Sequence, residues 1–191
     1  MKKEVQKEIQ ITQYILSLIA GSFFVITNAL LGWGTYDAQI IAIPPFVVYN
    51  IMDIFLAEYW RTDRLLLIHH IFVILLGSYI YFLDDFTNDI YIISYYMSLG
   101  EISTIFNCLR WFYYGTAWEY QSKMAFALAF LICRPISNIG LLKSLPEIED
   151  PTSSKIFRAA ATIYTFLNMY WGGLIVKKLY NYIPDKFLKT N

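Results

Sequence analysis

A chain of 191 residues that is 57% hydrophobic, with a mean hydropathy of +0.44, lies well above the ~45–50% apolar usage of soluble domains. Its formal charge is zero, so no basic excess points to a nucleic-acid partner. The charges are clustered, and the apolar stretches between them run to about twenty residues, enough to cross ~30 Å of hydrocarbon. Composition therefore excludes a soluble domain and defines an integral membrane protein, with five Trp and sixteen Tyr placed largely near the stretch ends as an interfacial belt.

Six spans are predicted between a leading segment at 1–10 and a tail at 181–191: 11–34, 36–60, 65–83, 90–115, 124–145 and 156–180. The runs lack two-residue alternation, and backbone polar groups cannot go unpaired in lipid, so the spans are helices and the fold class is all-α. The first run follows MKKEVQKEIQ and ends in NALLGWG without a small-x-small cleavage site, so it is expected to be retained rather than cleaved as a signal peptide. Span 2 contains Pro44 and Pro45, and span 5 contains Pro135; each is expected to kink its helix. Cys108 and Cys133 fall within spans, which argues against a disulfide framework. No internal repeat, soluble domain or dividing linker is evident, leaving one transmembrane domain over 11–180.

Lys and Arg set an orientation. With six spans, one side holds both termini, the 61–64 turn and the 110–123 loop. That side carries Lys2, Lys3, Lys7, Arg61, Arg64, Arg110, Lys123, Lys177, Lys178, Lys186 and Lys189. The other side has Lys143, Lys155 and Arg158 beside the acidic tracts DDFTND and PEIEDP. Such a positive-inside bias predicts cytosolic termini.

The informative residues are those that lipid disfavours: Asp53 in span 2, His69 and His70 in span 3, Glu101 and Asn107 in span 4, Arg134 and Asn138 in span 5, and Asn168 in span 6. Ionisable groups there usually face a bundle interior or a water-filled cavity. At ~1.5 Å per residue, His69 lies roughly 6 Å inside its helix end, Asp53 about 10 Å, Asn168 about 14 Å, and Glu101 and Arg134 about 15 Å. One shared cavity in the cytosolic half accommodates all of them. Asn50 and Asp53, Arg134 and Asn138, and Tyr164, Asn168 and Trp171 follow helical spacing. Glu101, Thr104, Asn107 and Arg110 step by three along span 4. Adjacent residues on a helix point about 100° apart, so only one of His69 and His70 is expected at the cavity centre, with the other bonding a neighbouring helix. Glu101 and Arg134, at matching depth, are expected to face each other. Asn28, Asn50 and Asn138 are equally well read as hydrogen bonds joining helices. Two histidines are too few for a di-iron site; a zinc site from both with Asp53 or Glu101 is the weaker alternative to no metal.

Asp53, DRLLLIHHIF, LGEISTIFNCLRWF, Arg134 and LNMYW together resemble the TLC domain, named for the TRAM, Lag and CLN membrane proteins. The resemblance runs from about span 2 to span 6 and is closest to the small six-span members, whose roles concern membrane lipid composition. It implies a helical barrel around a cavity open to the cytosol, usually in the endoplasmic reticulum. It also implies His69, His70, Glu101, Asn107 and Arg110 as signature positions. The ceramide synthases of this family use the paired histidines to transfer an acyl group from acyl-CoA, but their signature continues into H-D-x-x-D, and this chain has no third histidine.

Two function classes follow. The first is a non-catalytic protein of lipid homeostasis that holds or senses a membrane lipid in a cavity lined by Asp53, Glu101, Thr104, Asn107, Arg110, Arg134 and Asn168. The second is a membrane acyltransferase with acyl-CoA as co-substrate, His69 or His70 as general base and Asp53 or Glu101 orienting it. Arg110, Arg61 and Arg64 are then expected to meet a phosphate-bearing headgroup or CoA at the mouth. A proton-coupled transporter ranks third, since no inverted repeat supplies a second gate. The Ile-, Tyr- and Asn-heavy usage fits an AT-rich genome, cellular or viral, the membrane being the host's in the viral case.

Overall fold

Six α-helices account for nearly all of the described chain: α1 (Lys2–Leu31), α2 (Tyr36–Leu56), α3 (Arg64–Tyr81), α4 (Asn88–Phe112), α5 (Glu119–Ser144) and α6 (Pro151–Tyr182). A computed structural model describes residues 2–31, 36–56, 64–82, 88–145 and 151–182, and no strand occurs among them. Arg61 and nearly all of the two acidic tracts lie outside the described residues. Each helix coincides with a predicted span, with shifted ends. The fourth stops at Phe112 rather than 115, because the chain turns at Gly115, whose φ of 74° suits a residue without a Cβ. Beyond it, Glu119 accepts the Gly115 N–H at 2.8 Å and pairs with Lys123, so α5 begins five residues before the predicted boundary. Both α2 and α5 remain helical through Pro44, Pro45 and Pro135.

Five of the six helices are long and apolar enough to cross a membrane; α4 is not among them. The reason is its position. From Tyr95 to Arg110 no residue of α4 is exposed, so neighbouring helices rather than lipid cover its polar residues. The other helices show large apolar side chains on their outer surface, such as Ile19, Leu75, Ile132 and Met169. Buried Gln13, Ser17, Asn28, Asn50, Asp53 and Asn168 point inward. An apolar exterior around a polar interior is the arrangement lipid selects, and the chain is an all-α polytopic membrane protein.

The helices close into a ring in the order α1, α2, α3, α6, α5, α4, with α4 returning to α1. Each join has identifiable side chains. Phe24 stacks on Phe46 at 4.7 Å between α1 and α2, where the Gln39 amide also donates to Asn28 at 2.8 Å. Gly77 lets α3 approach α2 so closely that a Cβ there would come 2.7 Å from a Val47 methyl. Tyr79 of α3 meets Ser153 of α6 at 2.8 Å and packs against Phe157. Asn168 donates to Asn138 at 3.0 Å between α6 and α5, and the Ser137 hydroxyl donates to the Tyr96 carbonyl between α5 and α4. Tyr14 stacks on Trp111 at 4.8 Å to complete the ring. Inside it, Phe24, Ile43, Val73, Leu76, Ile93, Leu141 and Phe157 fill the half farther from the chain termini. The half nearer the termini is hollow.

Candidate functional site

A cavity of about 680 Å³ occupies that hollow half and takes side chains from all six helices. Ligand clefts commonly measure ~300–1,000 Å³. Its wall includes Asp53, His69, His70, Glu101, Thr104, Asn107, Arg110 and Arg134, so the residues singled out by their unsuitability for lipid do converge. Asn168 stands just behind the wall, hydrogen-bonded to Arg134. Arg64 is exposed at the start of α3 and does not line the cavity, contrary to its expected place at the mouth.

The two histidines separate as their angular offset requires. His70 is buried and points to α2, where its Nε2 lies 2.9 Å from an Asp53 oxygen and its Nδ1 2.6 Å from Asn50 Oδ1. The Asn50 amide nitrogen donates to the Phe46 carbonyl at 2.7 Å, which turns its oxygen towards the imidazole. Nδ1 of His70 is therefore the donor to Asn50, and Nε2 shares a proton with Asp53. Neither nitrogen keeps a lone pair for a substrate. His69 is different: its ring makes no hydrogen bond among the described residues and is held edge-on by Trp171 at 5.6 Å, with Tyr164 stacked at 6.5 Å. It also borders a small apolar gap of about 20 Å³ among Phe72, Met97, Leu141 and Phe157. Neither acid orients it, because Asp53 binds His70 and Glu101 is taken up by Arg134 and Thr104.

Arg134 anchors the opposite wall. Its guanidinium donates to Ser103 at 2.9 Å, Tyr164 at 3.0 Å, Thr104 at 3.2 Å, Glu101 at 3.3 Å and Asn168 at 3.4 Å. Five acceptors on two helices satisfy a buried cation whose desolvation would otherwise be costly. Tyr164 reaches this cluster only because Gly100 has no side chain; a Cβ there would collide with its hydroxyl. The expected pairing of Glu101 with Arg134 is thus present, as part of a larger network.

Nearer the mouth the groups are less committed. The Arg110 guanidinium lies over Trp111 and Phe126 at 5.5 and 4.9 Å and makes no ion pair among the described residues. Asn107 has no hydrogen bond among them either. Gln13 is buried on α1 with its amide nitrogen unpartnered. Gln13, Tyr14 and Ser17 escaped the sequence reading, which assigned no cavity residue to α1. The signal was there: Gln13, Ser17, Ala20, Phe24 and Thr27 recur at helical spacing and all are buried. The described residues contain no group of three or more His, Cys, Asp or Glu that could hold a metal ion; His70 and Asp53 face each other, while His69 and Glu101 face elsewhere.

The fold and the cavity define a polytopic helical membrane protein built around an intramembrane polar chamber. A family description of the TLC domain matches residues 6–177, and the chain belongs to that family. No curated protein and no solved structure matches it.

Proposed function

We propose that this protein binds a membrane lipid in the ring's cavity and serves membrane lipid homeostasis, with its termini in the cytosol and the endoplasmic reticulum as its membrane. The observation that carries the reading is a single cavity of about 680 Å³ whose wall sets His69, Arg110 and Arg134 beside apolar side chains such as Leu66, Phe130 and Ile175. A lipid needs both kinds of surface, polar groups for its headgroup and apolar side chains for its acyl chain. The family supports a lipid-related role of this kind.

The ring of His69, which makes no hydrogen bond among the described residues, favours a second reading, acyl transfer from acyl-CoA. In that chemistry His69 takes a proton from a lipid amine or hydroxyl as it attacks the thioester carbonyl. The C–N or C–O bond forms, the C–S bond breaks, and CoA leaves as a thiol with the proton His69 received. His70 serves as a positioning residue, tied to Asp53 and Asn50, that holds α3 against α2.

The test compares His69→Ala with His70→Ala. His69→Ala should keep wild-type thermal stability and change the cellular lipid profile, because no described residue takes a hydrogen bond from its ring. His70→Ala leaves the Asp53 carboxylate buried without its partner, and should lower stability by about 3 kcal/mol. Acyl-chain changes that follow His69 and require added acyl-CoA favour the enzyme; changes independent of acyl-CoA favour binding. Two stable variants with wild-type lipid profiles would refute both readings.

A further inference from the structure

The protein itself satisfies some of the cavity's polar groups and leaves others open. Both carboxylates are consumed, Asp53 by His70 and Glu101 by Arg134 and Thr104. Among the described residues, the unspent groups on the α1 and α4 walls are the Gln13 amide nitrogen, which can only donate, the Asn107 amide, and the Arg110 guanidinium. All three line the same cavity. Tyr14, next to Gln13, stacks on the Trp111 ring over which Arg110 also lies, and Asn107 precedes Arg110 by three residues on α4, hence on a neighbouring face. Gln13 is only 5% exposed, and a buried donor without an acceptor is destabilising unless something else fills it.

We propose that Gln13, Asn107 and Arg110 form a subsite for an oxyanion, and that the lipid held in this cavity carries a phosphate. The inference rests on the lipid-binding reading and specifies its headgroup. A phosphate supplies the acceptor oxygens that all three groups lack among the described residues and a negative charge for Arg110, in a cavity whose two lining carboxylates, Asp53 and Glu101, are already paired. Arg110 is pre-organised for this by its position against two aromatic rings, which restricts its guanidinium without consuming its donors. Lys178 on the cavity rim adds a second positive charge at the approach. The same chemistry accepts a lipid phosphate or a free one; the apolar side chains of the same cavity, among them Leu66, Phe130 and Ile175, favour the lipid.

Titration calorimetry of the purified full chain in detergent, with dihexanoyl phosphatidate, dihexanoylglycerol and inorganic phosphate as probes, tests this. Wild type should bind the phosphatidate at least tenfold more tightly than the neutral diacylglycerol. Arg110→Gln and Gln13→Leu should each erase that advantage while leaving diacylglycerol binding in place. Gln13→Leu should also raise the thermal midpoint of the ligand-free protein, since it removes an unpaired buried donor; this guards against a loss caused by misfolding. Inorganic phosphate that displaces the phosphatidate at equal concentration supports the subsite and names a soluble anion as its source. Failure to displace it supports the lipid. Equal wild-type affinity for the two lipids, or an advantage that survives both substitutions, overturns the subsite while the lipid-binding reading stands. If neither lipid binds to wild type, the lipid-binding reading itself fails and the subsite falls with it.

Discussion

Arg134→Met removes the hub of the buried polar network, and the structure says how the cost should divide. Arg134 is 6% exposed and donates to five side chains; Glu101, 7% exposed, keeps only the Thr104 hydroxyl at 2.8 Å when the guanidinium is gone. Leaving a buried charge without its partner costs ~3–5 kcal/mol. Glu101→Gln is milder, because the amide oxygen still accepts from Arg134, and the cation retains Ser103, Thr104, Tyr164 and Asn168. A loss of roughly 1.5–3 kcal/mol is expected, the range of a hydrogen bond to a charged group. In the double variant neither orphaned charge remains, so its loss should fall short of the sum by about 1–3 kcal/mol. At ~2–4 °C per kcal/mol for a chain of this size, Arg134→Met lowers the thermal midpoint by roughly 6–20 °C. Tryptophan fluorescence of detergent-solubilised protein during heating reads these shifts, and denaturant titration supplies the free energies for the cycle. Strictly additive losses would refute the argument: the two residues would then not be coupled, and the 3.3 Å separation would carry no energy.

Two further outcomes follow from the same geometry. Gly100→Ala should push the Tyr164 hydroxyl away from Arg134 and destabilise the protein by about 1–3 kcal/mol, whereas Gly173→Ala, with nothing within 4 Å, should be neutral or slightly stabilising in the same thermal assay; equal effects would contradict the close packing at Gly100. Single cysteines placed in DDFTND and PEIEDP should resist a membrane-impermeant thiol reagent in cells with only the plasma membrane permeabilised, and ready labelling there would contradict cytosolic termini.

Class, helix count and the residues that lipid does not tolerate were legible in the sequence, because each depends on local quantities. Transfer of apolar side chains, internal satisfaction of backbone hydrogen bonds and the rise per residue are properties of one helix at a time. Matching depth even brought out Glu101 and Arg134 as partners, since two charges of opposite sign at one level have few alternatives in hydrocarbon. Tertiary structure alone decided what depends on how helices rotate and which are neighbours. Sequence could say that His69 and His70 diverge, but only the contact of α2 with α3 assigns Asp53 and Asn50 to His70 and leaves His69 facing the cavity. The same holds for α1, whose Gln13 reads as an ordinary residue near a helix start until the return of α4 to α1 brings it to the cavity wall. It holds for α4 too, a helix already legible in the sequence, because only the ring shows that its neighbours rather than lipid surround its polar face. A side chain's depth is set along its own helix, but its partner is set by the ring.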